Sequence, residues 1–310
     1  MATHINHLLD LEGLSKEEIT SYLDLGEHFK GVSQRRIKKV PTLRHITVVL
    51  FFIENSTRTK ISFEIAAKRM SADTLSFAAS SSSLAKGETL LDTAKTLMAM
   101  RPDIIVIRHF AAGAPHFLAR NVPAAIINAG DGGHAHPTQA LLDMFTMREH
   151  LGKIEGLEVA IIGDIGHSRV ARSNIHGLKT MGANIRVAGP RTFLPPHFNT
   201  LGVQVYDRIE PAIEGADVVM MLRIQKERMG KDLFPSDREY ARFFGLDAQK
   251  LKLAKPGALV MHPGPLNRGV EITPDIADCN NSVILEQVEN GVAIRMAVLY
   301  QLGKHLVEEA

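Results

Sequence analysis

Short apolar, β-branched runs alternate with amphipathic stretches along this chain. Runs of strand length fall at 46–53, 74–78, 103–108, 124–128, 158–162, 184–188, 203–206, 217–222 and 258–261. Between them, apolar residues recur at helical spacing near 58–70, 88–100, 137–150, 168–181 and 209–215. The strands read as near-continuous apolar runs, such as Ile104-Ile105-Val106-Ile107, which is the pattern of strands covered on both faces. This βαβα rhythm predicts parallel sheets with helices on both sides. A helix is also expected over 15–29, where Ser15 with Glu18 three residues on forms a capping box, and a long amphipathic one over about 286–308. No low-complexity linker or internal repeat interrupts the pattern. A second βα series starts at Leu157, which puts a boundary near 137–155. The expected fold class is α/β, with two doubly wound parallel-sheet domains linked by helices and an active site in the cleft between them. The terminal helices are expected to pack together. That assigns 1–137 plus 291–310 to one domain and 138–290 to the other.

Bulk properties narrow the classes of function. A length of 310 residues fits about two domains. Lys+Arg 36 against Asp+Glu 34 gives a net charge of +2, so no bulk charge calls for nucleic acid or a membrane surface. The absence of Trp and the presence of only 4 Tyr argue against base stacking. Cys279 is the only cysteine, so no intramolecular disulfide forms and a reducing cytoplasm fits. Residues 1–7 lack the basic and apolar regions of a signal peptide, and no apolar run reaches the ~18 residues of a membrane span.

Candidate chemistry sits where predicted strands end. Ser56-Thr57-Arg58-Thr59 lies between the run 46–53 and a helix, so three hydroxyls and a guanidinium meet the positive end of a helix dipole. Phosphate suits such a cradle, and the plain alternative is a Ser N-cap with a surface Arg. Arg108 ends a buried strand, either to meet an anion or to bridge two elements. After 124–128, a Gly-rich turn delivers His136 just before Pro137, which suits the first helical position, with Gln139 in the first turn. His and Gln can both hydrogen-bond one carbonyl group. His134-x-His136 also raises a metal site, but no Cys, His or carboxylate set of ligand spacing accompanies it. Gly163-Asp164-Ile165-Gly166-His167-Ser168-Arg169 resembles a dinucleotide turn only superficially. Its glycines are three apart, and Arg169 stands where a small residue is needed, so a carboxylate fits better than a pyrophosphate. Arg223 and Gln225 follow another strand, and two arginines can hold a dicarboxylate at both ends. Lys86, in the polar loop after Ser81-Ser82-Ser83, reads alone as a solvated lysine. His262-Pro263-Gly264-Pro265-Leu266 is a stiff loop, either a plain turn or a source of backbone carbonyls for a ligand's N–H groups.

Together these motifs resemble the aspartate/ornithine carbamoyltransferase family over nearly the whole chain and in the same order. The specific elements are Phe51-x-x-Glu54-x-Ser56-Thr57-Arg58-Thr59 and His136-Pro137-x-Gln139. Lys86-Gly87-Glu88, Arg223-x-Gln225 and His262-Pro263-Gly264-Pro265-Leu266-Asn267-Arg268 indicate the aspartate branch. The ornithine branch carries His-Cys-Leu-Pro at the last site, whereas position 263 here is Pro. The resemblance implies transfer of the carbamoyl group of carbamoyl phosphate to L-aspartate, in pyrimidine synthesis. It implies that the first domain binds carbamoyl phosphate and the second L-aspartate. Ser56, Thr57, Arg58 and Thr59 would hold the phosphate, with Arg108 near it. Thr59, Arg108 and His136 would polarise the carbamoyl oxygen. Gln139 and the 264–266 loop, through the carbonyls of Pro265 and Leu266 beside Gly264, would bind the carbamoyl amino group. Arg169, Arg223 and Gln225 would position L-aspartate. Lys86, which would also bind L-aspartate and join Arg58, Thr59, Arg108 and His136 as a catalytic residue, and Ser83, or Ser82 in its place, would enter from a neighbouring subunit of a homotrimer. Family members also associate with regulatory chains or dihydroorotase. No cofactor and no metal are expected. The competing readings are an ornithine-type transcarbamylase, a Rossmann dehydrogenase and a non-catalytic homologue. The last is disfavoured because Arg58, Lys86, Arg108, His136, Arg169 and Arg223 are all present.

Overall fold

A computed structural model describes residues 7–78, 87–196, 198–225 and 236–308. The chain divides into two compact units, one of Met1–Gly13, Glu17–Leu142 and Asn290–Ala310, the other of Leu14–Lys16 and Asp143–Glu289.

In chain order the first unit begins with α1 (Lys16–Gln34), β1 (Thr47–Phe52), α2 (Thr57–Arg69), β2 (Asp73–Ala78) and α3 (Leu90–Met98). It continues through β3 (Ile104–His109), α4 (Ala114–Ala119), β4 (Ala125–Asp131) and α5 (Pro137–Leu151), whose last turns belong to the second unit. The four strands are parallel and ordered β2-β1-β3-β4. Strand β1 is central, and every residue from Val48 to Phe52 is buried, which is why its sequence is apolar without alternation. On one face Val49, Phe51, Ile105, Ile107 and Ile126 pack with Leu97 and Leu118 into a single cluster. Phe51 meets Phe77 edge-on at 5.3 Å, a favoured ring geometry. Register along the β3–β4 pair shifts between Ile107 and His109. The extra residue is on β4, where Ala129 and Gly130 face the single residue Arg108 of β3.

The second unit contains β5 (Glu158–Ile162), α6 (Arg169–Thr180), β6 (Asn184–Ala188), β7 (Gln204–Tyr206), α7 (Ile209–Ile213) and β8 (Val218–Met221). It ends with α8 (Asp237–Phe244), α9 (Ala248–Leu251), β9 (Leu259–Met261) and α10 (Pro274–Ala277). The last helix, α11 (Ile284–Glu308), starts in the second unit and finishes in the first. Its Tyr300 packs edge-on against Phe29 of α1 at 5.8 Å. The five strands are parallel, in the order β7-β6-β5-β8-β9. Ala160, Ile162, Val219, Met221 and Val260 form the core of one face with Ile209, Leu246 and Ile276.

All nine strand-length runs form strands, with ends displaced by a few residues at most. The largest displacement is at β4, which runs on to Asp131 because His109 pairs with it. Helices α4, α8, α9 and α10 were not anticipated by periodicity. They span four to eight residues, too few turns to display it.

Candidate active site

Both sheets reverse their winding direction at one point, β1/β3 in the first and β5/β8 in the second. In open parallel sheets, ligands bind beyond the carboxyl ends of strands at this reversal. At the carboxyl ends of those four strands lie Ser56–Thr59 after β1, Arg108 as the penultimate residue of β3, Gly163–Arg169 after β5 and Arg223 after β8.

In the first unit, α2 starts without a side-chain cap. Ser56 occupies the N-cap position, yet its hydroxyl donates to Thr59 Oγ1 at 3.0 Å instead of accepting a backbone N–H. Elsewhere Thr89, Ser168, Ser236 and Asp247 all cap their helices in the usual way. The first turn of α2 also carries no acidic residue. The plain N-cap reading of Ser56 is therefore replaced by a positive helix end whose hydroxyls are organised among themselves. Thr59 is buried, whereas Thr57 and Arg58 are exposed.

Arg108 lies opposite Phe52 in the ladder, one strand over from this turn. Its Nη2 donates to Glu54 Oε1 at 2.7 Å and its Nη1 donates to the Ala129 carbonyl at 3.0 Å. The backbone N–H groups of Ile53 and Glu54 donate to the Arg108 carbonyl at 2.9 and 3.2 Å. The inter-element salt bridge foreseen for Arg108 is thus real, and it fixes the guanidinium between two strand ends. Its value lies in orientation, since part-buried ion pairs gain little net stability.

His136 is buried and precedes Pro137, the first residue of α5, and its carbonyl accepts from the Gln139 N–H at 3.0 Å. The turn that delivers it is built around Asp131, which is fully buried. Asp131 Oδ1 accepts from Asn128 Nδ2 at 2.8 Å and from the Ala135 N–H at 3.0 Å. Its Oδ2 accepts from the Gly113 N–H at 2.7 Å. Gly132 sits at φ +45, and a Cβ there would come within 2.8 Å of the Ala112 nitrogen, so only glycine passes. Burial lowers the pKa of neighbouring His109, whose Nδ1 accepts the Ala111 N–H at 2.8 Å.

In the second unit, Gly163 ends β5 at φ +134, where a Cβ would stand 3.1 Å from Leu222 Cβ. That close approach brings the β5 and β8 loops together. Ser168 caps α6 through the Ala171 N–H at 3.1 Å, and Arg169 is the first helical residue and buried. Arg223 and Gln225 are half-buried on either side of Ile224, which packs with Phe193 and Tyr240. Tyr240 is fully buried, and burial first, then Glu271 and Asp164, push its hydroxyl pKa far above the usual range.

After β9, His262 Nδ1 accepts the Gly264 N–H at 2.7 Å. Its Nε2 therefore carries the proton and donates to Glu271 Oε1 at 3.2 Å. The same oxygen accepts the Asn267 N–H at 2.6 Å. Gln287 accepts the His262 N–H at 2.9 Å and donates to Asp143, which also accepts from Asn174. The loop 263–266 thus hangs from a buried polar network, with Pro265 exposed and the peptide before it cis.

The structure therefore gathers the predicted residues into two sets. Ser56, Thr57, Arg58, Thr59, Arg108, His136 and Gln139 lie at or beyond the carboxyl ends of neighbouring strands of one sheet. Arg169, Arg223, Gln225, Gly264, Pro265 and Leu266 follow neighbouring strands of the other. Lys86, Ser83 and Ser82 lie outside the described residues. Sequence reasoning missed Asp131 and Glu271 as organisers. Asp131 holds Gly113, eighteen residues upstream, and no local pattern announces that bond.

Residues 6–149 match the model of the aspartate/ornithine carbamoyltransferase carbamoyl-P binding domain, and 155–302 that of the Asp/Orn binding domain. The chain is 61% identical over 312 residues to the aspartate carbamoyltransferase catalytic subunit of Syntrophotalea carbinolica, with 100% of both chains covered. It is also 61% identical to that of Geobacter sulfurreducens, with 96% of each covered. Among solved structures, it resembles Trypanosoma cruzi aspartate transcarbamoylase in complex with carbamoyl phosphate and aspartate (TM-score 0.85, 26% identity, 96% of this chain and 95% of that one). It likewise resembles ornithine carbamoyltransferase from Pyrococcus furiosus (TM-score 0.84, 30% identity, 95% and 96%). With both domain models matched in order and relatives of about this identity along its length, the chain belongs to the aspartate/ornithine carbamoyltransferase family.

Proposed function

We propose that this chain transfers the carbamoyl group of carbamoyl phosphate to the amino group of L-aspartate, giving N-carbamoyl-L-aspartate and phosphate for pyrimidine synthesis. The observation that carries the choice of acceptor is the placement of Arg169 and Arg223. They follow the adjacent strands β5 and β8, and Arg169 is buried at the first position of α6. A cation there opposes the helix dipole, so the position favours Arg only if an anion meets it. Two guanidiniums suit the two carboxylates of aspartate, whereas the cationic side chain of ornithine would be repelled by Arg223.

In this reading, residues 1–137 with 291–310 bind carbamoyl phosphate and 138–290 bind L-aspartate. The uncapped start of α2, with Ser56, Thr57, Arg58 and Thr59, takes the phosphate. Arg108, held by Glu54, together with Thr59 and His136, faces the carbamoyl oxygen and stabilises the charge that develops on it. Gln139 and the carbonyls of Pro265 and Leu266, beside Gly264, accept from the carbamoyl amino group. Arg169, Arg223 and Gln225 orient aspartate so that its neutral amine attacks the carbamoyl carbon. The new C–N bond gives a tetrahedral intermediate. The C–O bond to phosphate then breaks, and the departing phosphate takes the amine proton. Rate enhancement comes from orientation and oxyanion stabilisation. Lys86 and Ser83 complete the site from a neighbouring subunit, so the working form is a homotrimer in the cytoplasm. Among the described residues, no helix is long and apolar enough to cross a membrane.

The test is a carbamoylation assay with carbamoyl phosphate and either L-aspartate or L-ornithine, with the mass in solution measured by light scattering. Turnover on aspartate by a trimer is expected. Turnover on ornithine alone would overturn the acceptor assignment, and full activity as a monomer would overturn the shared site.

A further inference from the structure

His116, Asp131 and His134 meet in the first unit, although His116 stands on α4, Asp131 ends β4 and His134 is in the turn after it. One ligand atom from each lies within 4.8 Å of the others. His134 Nδ1 is 3.0 Å from Asp131 Oδ2, and the rings of His116 and His134 meet edge-on with centroids 5.5 Å apart. The histidine pattern of the sequence pointed to residues 134 and 136, but His136 is not in this group; Asp131 stands three residues before His134, and His116 comes from another element.

A second observation concerns the far side of His116. Its Nε2 is 3.0 Å from Asp10 Oδ2, so that nitrogen holds the proton and Nδ1 presents a lone pair. Nδ1 is buried and has no hydrogen-bond partner among the described residues. Buried acceptors are seldom left so. A carboxylate on one ring nitrogen is also the arrangement that fixes the tautomer of metal-binding histidines. Asp131 is supported in the same manner by Asn128 and the backbone of Gly113 and Ala135.

We propose that His116 Nδ1, one ring nitrogen of His134 and Asp131 Oδ2 bind a zinc-class divalent cation, with solvent as fourth ligand. Two imidazoles and a carboxylate form a zinc-type set, whereas magnesium and calcium want oxygen. With bonds of roughly 2.0 Å, ligand atoms of a tetrahedral site stand about 3.3 Å apart. The His134–Asp131 pair is already near that spacing, and rotation of the part-exposed His134 ring closes the wider gap. The ion would clamp α4 to the turn that delivers His136, because Asp131 also holds the Ala135 N–H.

Metal-stripped full-length protein is titrated with ZnCl₂ by calorimetry and with CoCl₂ by visible absorption. Wild type should show one saturable site with tetrahedral cobalt bands. His116→Gln and His134→Asn should each remove it, and Asp10→Asn should weaken it by about 10–100-fold, as for other outer-shell carboxylates. His134→Asn keeps a donor for Asp131, so it tests ligation without unmaking the turn. His150→Ala, in the exposed group Glu149, His150 and Glu286, should change nothing. No zinc binding by wild type, or binding that survives both His116→Gln and His134→Asn, overturns the proposal.

Discussion

Asp131→Asn tests whether the turn carrying His136 is held by a carboxylate. Both oxygens of Asp131 accept, Oδ1 from Asn128 and the Ala135 N–H, Oδ2 from the Gly113 N–H and the His134 ring. An amide replaces one acceptor with an NH₂ donor. In one orientation that NH₂ faces the Gly113 N–H, and in the other it faces the Ala135 N–H. No orientation satisfies both, and the residue is fully buried, so water cannot relieve the clash. One orphaned buried donor costs about 1–3 kcal/mol, and the remaining bonds lose their charge assistance. A loss of about 2–4 kcal/mol is expected. With a urea m-value of about 2 kcal/mol/M, the first unit's midpoint should fall by about 1–2 M. Because the Ala135 N–H precedes His136, kcat should also fall by roughly tenfold or more. Urea unfolding followed by circular dichroism, with EDTA present, and initial rates at saturating substrates give the two numbers. A midpoint shift below about 0.3 M with unchanged kcat would refute the reasoning.

Four further outcomes follow from the same geometry. His136→Ala should lower kcat by roughly ten- to a thousand-fold, the usual loss of an oxyanion donor, and steady-state rates check it. Arg223→Ala should raise KM for aspartate far more than for carbamoyl phosphate, and equal changes in both would sink the dicarboxylate assignment. Glu271→Ala orphans the Asn267 N–H and the His262 ring N–H and should destabilise the second unit by about 2–5 kcal/mol, while Glu271→Gln keeps one acceptor and costs much less; thermal melts separate them. Burial lowers the pKa of His7 and His109, and the Nδ1 of each accepts a backbone N–H. Their contribution to stability is therefore complete above the unfolded value of about 6.5 and fades as pH falls through it toward the folded value. Urea midpoints between about pH 8 and pH 5.5 should decline, and less so in His109→Asn, whose side-chain oxygen still accepts the Ala111 N–H.

The strands were legible because a strand covered on both faces has to be apolar throughout, as in β1 and β3. The short helices were not, since α9 has four residues and no buried side chain. The positions of Arg108 and Arg223 were legible because charge at a strand end contradicts the apolar run before it, and that of Arg169 because it stands where a dinucleotide turn needs a small residue. The failure of Ser56 to cap α2 was invisible, because the same letters cap α6 at Ser168 and α8 at Ser236. What decides between them is the partner chosen by the hydroxyl, and that depends on three-dimensional neighbours. Asp131 and His116 escaped for a related reason: each acts on a residue far along the chain, Gly113 and Asp10.

The reversal of winding occurs once in each sheet, and each reversal collects its own set of side chains. In the proposed reading, the phosphate of the donor and the carboxylates of the acceptor are therefore met by separate stretches of the chain, the first after β1 and the second after β5 and β8. On that reading, mutations after β5 and β8 retune which amine is accepted while the proposed phosphate cradle at α2 stays intact. A lineage built this way can diversify its acceptors without reinventing its chemistry, and a domain exchange between relatives of different acceptor specificity should carry the preference with the second unit.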